Sequence, residues 1–187
     1  MHPIAALRTW AREEHDFSPR RKFQIFLLLF VLSGVFGFVY EMVFYRIDLG
    51  HFVKRGTTLG PWIPIYAYGA VFILLLAYRF RSRPWAVLLL GALSSGLLEF
   101  AVGYWFWHVR HIRLWDYNTE IWNWGNIGGY ICARSVLFFG LSGLILVYIM
   151  VPAVVHLAGR MKARPFALLS LIPGALFIAD ILLRSVR

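Results

Sequence analysis

The sequence predicts an all-α polytopic integral membrane protein, a helical bundle with about five transmembrane helices. Hydrophobic residues make up 60% of the 187 residues and charged residues only 15%, against about 25% charged residues in an ordinary soluble domain. The apolar residues fall in five runs that approach the ~20 residues needed to cross ~30 Å of hydrocarbon. Because these runs are apolar on every face and do not alternate, they predict helices and exclude a β-barrel.

The chain begins with a polar stretch, residues 1–22, which we interpret as a cytoplasmic amphipathic N-terminal segment. Ser18 followed by Pro19 is typical of a helix N-cap with proline at the first helical position. The first apolar run, residues 23–45, is too long for the core of a signal peptide and lacks a small-x-small cleavage site. It therefore predicts an uncleaved first span.

Four more spans are predicted at residues 62–78, 85–107, 131–155 and 165–183. No linker, repeat or low-complexity segment divides the chain, so residues 23–187 are predicted to form a single transmembrane domain. Small residues let helix backbones approach closely in lipid. We expect them at helix contacts, the candidates being Gly91, Ser95, Gly96, Gly140 and Gly143.

The distribution of basic residues predicts the orientation. With the N-terminus in the cytoplasm, eleven of the 19 lysine and arginine residues fall on the inner side and seven on the outer side, which agrees with the positive-inside rule. We expect a multi-pass protein of the bacterial inner membrane whose loops 46–61 and 108–130 share the outer face. The net charge of +10 favours contact with anionic membrane lipids. Short basic clusters without an extended basic face exclude a nucleic acid partner.

Four charged residues lie inside the predicted spans: Glu41, Glu99, Arg134 and Asp180. Each costs several kcal/mol there unless it is paired or hydrated. By the predicted topology all four fall in the outer half of the membrane, which predicts a polar cavity opening to the outer face. Glu99 would form its floor and Arg134 its wall, with Arg134 paired to Glu99 or to Glu41. The alternative is that these residues only tie helices together.

Two outer loops supply further candidates. Residues 104–134 form a polar, aromatic interruption with five of the chain's 8 tryptophans, a density typical of the membrane–water boundary. In this stretch the turn of Trp115, Asp116 and Tyr117 either caps a helix or holds a polar ligand headgroup. In the other loop, the glycines and prolines of residues 55–66 predict either a loop-to-helix turn or a broken helix start that lines a cavity.

Metal and cofactor sites are poorly supported by the sequence. His108 and His111 are three residues apart, and His51 and Asp116 are expected near the same face, which is compatible with zinc or copper. Motifs such as HExxH, paired cysteines and CxxCH are missing, so we predict no metal and no cofactor. The single cysteine, Cys132, precludes an intrachain disulfide.

Several short motifs follow one another in a distinctive order. They are residues 55–66 with Gly69, Leu98-Glu99-Phe100, Leu114-Trp115-Asp116-Tyr117-Asn118, and Asn126 to Gly129 followed by Ile131, Cys132, Arg134 and Ser135. Together they resemble the bacterial ABC-transporter permease family called CmpB, over roughly residues 39–152. The resemblance implies a permease fold. With the charged residues above, these motifs give the candidates for ligand binding or for lining a cavity: Glu41, Glu99, Arg134, Arg55, Tyr66, Trp115, Asp116, Tyr117 and Asn126.

Three classes of function remain open. The first is a small transporter component that moves or binds an amphiphilic or anionic, lipid-like solute. The chain carries no nucleotide-binding motif, so ATP-driven transport would require a separate ATPase subunit, for which residues 79–83 and 160–164 are docking candidates. The second is an intramembrane enzyme acting on a lipid-linked substrate, with Glu99 as acid/base and Arg134 as phosphate clamp. The third is a non-catalytic helper subunit. A homo-oligomer is compatible with all three, and a non-enzymatic role is favoured.

Overall fold

The computed structural model describes residues 16–185, so most of the predicted N-terminal segment lies outside the described part of the chain. The described residues form six α-helices and no β-strand, which confirms the all-α class. The helices are α1 (Pro19–Leu49), α2 (Pro64–Leu76), α3 (Pro84–Arg110), α4 (Ala133–Ile145), α5 (Val151–Arg160) and α6 (Ala163–Ser185).

Four helical runs of the described chain are long and apolar enough to cross a membrane: Pro19–Leu49, Pro84–Arg110, Ala133–Arg160 and Ala163–Leu183. The shorter apolar helix α2 is a fifth, and together they confirm a bundle of about five membrane helices. Many leucines on these runs point outward, as the exposed fractions of Leu93 (68%) and Leu97 (70%) illustrate. In lipid such exposure carries no hydrophobic penalty, since the solvent is itself apolar.

The ends and bends of the helices follow from particular residues. Ser18 is the N-cap of α1, its hydroxyl accepting from the Arg21 amide at 3.4 Å, and Pro19 opens the helix, as the sequence predicts. Gly50 ends α1 with a positive φ of 76°, a conformation that costs glycine little. A π-helical turn, Leu146–Met150, joins α4 to α5. It ends two residues before Pro152, which lacks an amide hydrogen for the preceding turn.

The chain divides into two compact units. Unit 1 comprises the described parts of Met1–Val71 and Leu146–Arg187, and unit 2 is Phe72–Ile145. The core of unit 1 surrounds the fully buried ring of Phe177 on α6. Trp62 stacks on this ring at 4.9 Å between centroids, and Phe30 of α1 lies 5.2 Å from it. These rings pack α1 and the entry to α2 against α6.

In unit 2, α3 and α4 cross at glycines. A Cβ added to Gly91 would lie 3.7 Å from the Gly143 Cα, and one added to Gly140 would lie 3.0 Å from the Leu88 carbonyl oxygen. Larger side chains at the crossing would therefore push the helices apart. The expectation that small residues mark helix contacts is confirmed for these three glycines. The close approach fixes α3 and α4 as the frame that carries the polar residues of unit 2.

Candidate functional site

A cluster of four polar side chains is enclosed in unit 2, and we call Glu99, Tyr117, Glu120 and Arg134 the unit 2 cluster. Glu99 lies on α3, between the Gly91 crossing and the loop that follows α3, and is only 4% exposed. The Tyr117 hydroxyl donates a hydrogen bond to its Oε1. Its other oxygen, Oε2, is buried and accepts no hydrogen bond from the described residues. A buried carboxyl oxygen without a donor is costly, which makes this atom the most unusual feature of the cluster.

The second half of the cluster is an ion pair at the start of α4. The Nη2 atom of Arg134 donates to Oε2 of Glu120 at 2.6 Å, and the two side chains are 12% and 6% exposed. The guanidinium also lies 5.4 Å from the Tyr117 ring centroid. The sequence predicted Glu99 or Glu41 as the partner of Arg134, whereas the structure provides Glu120. Arg134 still lies close enough to Glu99 to attract its charge.

The loop 111–132 carries Tyr117 and Glu120 onto the helices. Asp116 Oδ1 accepts from the Asn118 amide nitrogen at 3.0 Å and from its side chain at 2.7 Å, which forms a tight turn. The Tyr117 amide donates to the Gly129 carbonyl at 3.1 Å. Asn126 completes the frame, because its amide donates to Asn118 Oδ1 and its Oδ1 accepts from the Gly129 amide, both at 2.8 Å. Asp116 and Asn126 therefore hold the loop in shape.

Aromatic side chains attach this loop to the end of α3. The Trp115 indole donates to the Tyr130 carbonyl at 2.9 Å, and its ring covers Gly103, where an added Cβ would lie 3.0 Å away. The Arg113 guanidinium lies 4.9 Å from the Trp107 ring and 5.0 Å from the Tyr130 ring. Such cation–π contacts stabilise a partly desolvated cation. Trp115 is thus a positioning residue for the cluster.

Burial fixes the protonation of Tyr117. The side chain is enclosed, and burial, followed by the neighbouring Glu99 carboxyl, raises the pKa of Tyr117 well above its ordinary value of 10.0. Both causes disfavour the phenolate, the first by desolvation and the second by like-charge repulsion. Tyr117 is therefore a hydroxyl donor throughout the physiological range.

A second polar group lies in unit 1 and contains the other predicted candidates. Arg55 Nε donates to Glu41 Oε2 at 3.1 Å, and the Tyr66 hydroxyl donates to Glu41 Oε1 at 3.1 Å. The Arg55 guanidinium lies 3.7 Å from the Tyr45 ring centroid. These contacts join α1, the loop after it and α2. The structure thus brings together Glu41, Arg55 and Tyr66, three candidates that are far apart in the sequence.

Asp180 of α6 binds the other end of the same loop. Its carboxylate accepts from the Leu59 amide at 2.9 Å and from the Gly60 amide at 2.8 Å. The Trp62 indole donates to Oδ2 at 2.9 Å. Converging N–H donors of this kind stabilise a buried carboxylate. Asp180 is therefore an anchor for the entry to α2.

The three histidines do not form a metal site with other described residues. His108 Nε2 lies 3.2 Å from the Tyr130 hydroxyl, and His51 Nδ1 lies 3.0 Å from the Leu49 carbonyl. His111 ends α3 with a positive φ of 54°. Within residues 16–185 no three His, Cys, Asp or Glu side chains are grouped closely enough to hold a metal ion.

Comparison with known protein families shows to which family the chain belongs. The model of the family described as "Putative ABC-transporter type IV", the CmpB type, matches residues 28–185. The chain belongs to this family. No curated protein and no solved structure matches it. The match extends well beyond the 39–152 region of resemblance and includes most of the helical bundle, so this CmpB-type protein is a multi-pass, transporter-related membrane protein.

Glu120 is not among the residues that the sequence of this CmpB-type protein predicted for the site. The predicted partners of Arg134 were acidic residues of the spans, whereas Glu120 lies in the loop. A usable signal was present, since an arginine in the first turn of a span is within reach of the preceding loop. That loop contains two acidic residues, Asp116 and Glu120. Asp116 makes the turn at Asn118 and lies 3.7 Å from Arg113, which leaves Glu120 to meet Arg134.

Proposed function

We propose that this protein is the membrane component of a transporter that binds an amphiphilic or anionic, lipid-like solute at the unit 2 cluster. The observation that carries the proposal is the buried Glu99 Oε2, which accepts no hydrogen bond from residues 16–185. Buried polar atoms are almost always satisfied by protein, water or ligand. A solute hydroxyl, amide or ammonium group would supply the donor that the described chain does not.

The acidic group of the solute would be met by Arg134. Arginine stays charged and presents a planar fork that suits carboxylate and phosphate. Glu120 already occupies this fork at 2.6 Å, so an incoming anion would exchange with Glu120 or share the guanidinium with it. An internal carboxylate of this kind keeps the buried cation paired when no solute is present. Binding and release then require only that one acid replace another.

Movement of a solute against a gradient requires an energy source. The sequence contains no phosphate-binding loop, so a separate ATPase subunit would supply it. With the N-terminus in the cytoplasm of a bacterial inner membrane, the basic segments 79–83 and 160–164 would lie on the membrane face that this subunit approaches, and segment 79–83 would be its docking segment. The cluster would then lie in the outer half of the membrane, in a polar cavity opening to the outer face.

Thermal unfolding of the purified protein with added amphiphiles tests the site. Saturating lysophosphatidic acid, which has both a phosphate and a free hydroxyl, is expected to raise Tm by about 5 °C or more, whereas a neutral monoacylglycerol is not. Glu99→Gln and Arg134→Ala are expected to abolish the shift. Ser94→Ala is the matched control, because Ser94 lies on the same helix and bonds only its own helix backbone, at 2.6 Å to the Leu90 carbonyl and 3.5 Å to that of Gly91.

Equal shifts in wild type, Glu99→Gln and Arg134→Ala would contradict binding at the unit 2 cluster. A shift with the neutral amphiphile of the same size would contradict the need for an acidic group. Loss of the shift in Ser94→Ala as well would indicate a general effect of mutating α3.

One contact favours the enzyme hypothesis as a second candidate. The Tyr117 hydroxyl donates directly to Glu99 beside the Arg134–Glu120 pair, an arrangement that suits proton transfer next to a phosphate-binding cation. Conversion of a lipid-linked substrate by the purified protein alone, lost in Tyr117→Phe, would support it. Recovery of every lipid unchanged would favour the transporter.

A further inference from the structure

The start of α1 is fastened to the turn between α5 and α6 by one arginine. Arg21 donates from Nε to the Ala158 carbonyl at 3.2 Å and from Nη2 to the Met161 carbonyl at 2.6 Å. Its guanidinium also lies 4.1 Å from the Phe166 ring centroid. The carbonyls at the end of α5 are not used within the helix and carry partial negative charge, so a cation binds well there. Two segments about 140 residues apart in sequence thereby meet in unit 1.

This contact gathers basic residues at one end of unit 1. Arg21 is partly buried, whereas its two neighbours in the sequence and the basic residues of the turn are exposed. We call these exposed cations the basic rim, which consists of Arg20, Lys22, Arg160, Lys162 and Arg164. Along the described chain the nearest acidic residue is Asp16. The rim therefore presents several positive charges to whatever lies beside it.

Exposed apolar side chains lie one helical turn from most of these cations. Phe23 (57% exposed) follows Arg20 by three residues, and Leu157 (38% exposed) precedes Arg160 by three. Two further apolar side chains follow a cation by four residues: Phe26 (38% exposed) follows Lys22, and Leu168 (53% exposed) follows Arg164. Residues three or four apart lie on the same helix face. In each pair the apolar residue is displaced toward the middle of its span, and the cation lies at the end.

We propose that the basic rim is a binding site for an anionic phospholipid of the surrounding membrane. The phosphate would lie on the cations, and the acyl chains would follow the exposed phenylalanine and leucine side chains into the bilayer. An acidic protein would match the charges but would leave these apolar side chains uncovered, since they lie on faces of membrane-spanning helices. A phospholipid would contact both the cations and the apolar side chains. Its phosphate lies at the membrane surface, level with the cations, and its acyl chains lie deeper, level with the phenylalanine and leucine side chains.

Native mass spectrometry of the full-length protein with added cardiolipin tests the site. The rim variant carries Gln at Arg20, Lys22, Arg160 and Arg164, and it keeps Arg21 so that the helix ends stay joined. The control variant carries Gln at four exposed cations elsewhere, Lys54, Arg79, Arg83 and Arg110, and so has the same net charge. We expect the rim variant to bind cardiolipin at least ~10-fold more weakly than wild type, and the control to bind it within about threefold of wild type. Neutral phosphatidylcholine should be unaffected in all three.

Several outcomes would overturn the proposal. Equal affinities in the rim and control variants would show that net charge, and not this site, retains the lipid. Retention of cardiolipin by the rim variant together with loss of a soluble partner chain would assign the rim to protein docking. The wild-type protein provides a test that needs no mutation: its cardiolipin affinity is expected to fall as salt rises from about 0.1 M to about 0.5 M, and a salt-independent affinity would contradict the proposal.

Discussion

Three charged side chains of the membrane helices, Glu41, Arg134 and Asp180, have partners within their own units. Arg134 meets Glu120 at 2.6 Å, Glu41 meets Arg55 at 3.1 Å, and Asp180 accepts from backbone and indole N–H groups. An unpaired charge in such surroundings is costly, and removal of one partner of a buried pair leaves that cost uncompensated. Each pair therefore serves stability at the residue scale, whether or not it also binds a solute.

The Arg134–Glu120 pair gives a direct test of how much a buried ion pair contributes to stability. Arg134→Met and Glu120→Gln are each expected to lower the free energy of unfolding by about 3–5 kcal/mol, because each removes one side of a largely buried ion pair. The double variant should recover most of that loss. Reversible unfolding in detergent measures the free energy of unfolding of the wild type, the two single variants and the double variant, which together form a double-mutant cycle. Strict additivity, with the double variant as unstable as the sum of the two, would show that the side chains do not interact.

The raised pKa of Tyr117 predicts that the free energy of unfolding depends on pH. Because the pKa of Tyr117 is raised in the folded protein, the tyrosine ionises in the unfolded chain first as the pH rises. This ionisation stabilises the unfolded chain relative to the folded protein. The contribution of Tyr117 is complete below its ordinary value of 10.0 and is lost as the pH rises above it. Tyr117→Phe should therefore cost about 1–3 kcal/mol near pH 8, and the gap to wild type should shrink above pH 10.

The control for this measurement is Tyr68→Phe, which removes a tyrosine hydroxyl that is exposed on α2. It is expected to leave the free energy of unfolding near pH 8 unchanged. A gap between wild type and Tyr117→Phe that stayed constant through the alkaline range would show that Tyr117 ionises equally in both states.

At the scale of elements, the entry to α2 depends on α6. Asp180 accepts from the amides of Leu59 and Gly60 and from the Trp62 indole. Asp180→Asn replaces one acceptor oxygen by a donor and removes the charge, so we expect a loss of about 1–3 kcal/mol. Hydrogen exchange of the Leu59 and Gly60 amides should speed up strongly.

Leu182→Ala is the matched control on the same helix, because Leu182 is 63% exposed and faces outward. It should leave exchange at Leu59 and Gly60 as in wild type. Unchanged protection of those two amides in Asp180→Asn would mean that the loop is held by other contacts.

Elements and contacts differ in how far the sequence predicts them. The long apolar runs predict the membrane helices because a span must satisfy its own backbone hydrogen bonds, a property of local sequence. The glycine crossing of α3 and α4 is predictable for a similar reason, since side-chain size is visible in the sequence. The partner of Arg134 is not, because Glu120 reaches it only through the turn at Asp116 and the Tyr117 bond to Gly129. Loop geometry of that kind depends on several distant contacts at once.

At the scale of the whole molecule, the predicted topology depends on whether the short helix α2 crosses the membrane. Thirteen residues extend about 20 Å at 1.5 Å per residue, less than the ~30 Å of hydrocarbon. The flanking apolar residues and the 3₁₀ turn Tyr78–Phe80 lengthen it. The predicted arrangement, with loops 46–61 and 108–130 on one face, requires that α2 and its flanks cross completely.

Cysteine labelling tests that requirement. In a Cys132→Ala background, single cysteines replace the exposed residues His51, Ser82 and Thr119. A membrane-impermeant maleimide applied to the outside of spheroplasts should label positions 51 and 119, and inside-out vesicles should be needed to label position 82. Labelling of positions 51 and 82 from the same side would show that α2 does not cross the membrane.

The most direct test of the transporter proposal is native mass spectrometry of the protein extracted gently with its own lipids. We predict a soluble nucleotide-binding chain bound at a fixed ratio, because this chain has the family's membrane helices but no nucleotide-binding motif of its own. A stoichiometric lipid or metal ion without any partner chain would contradict the transporter proposal and favour the enzyme hypothesis at Glu99 and Arg134.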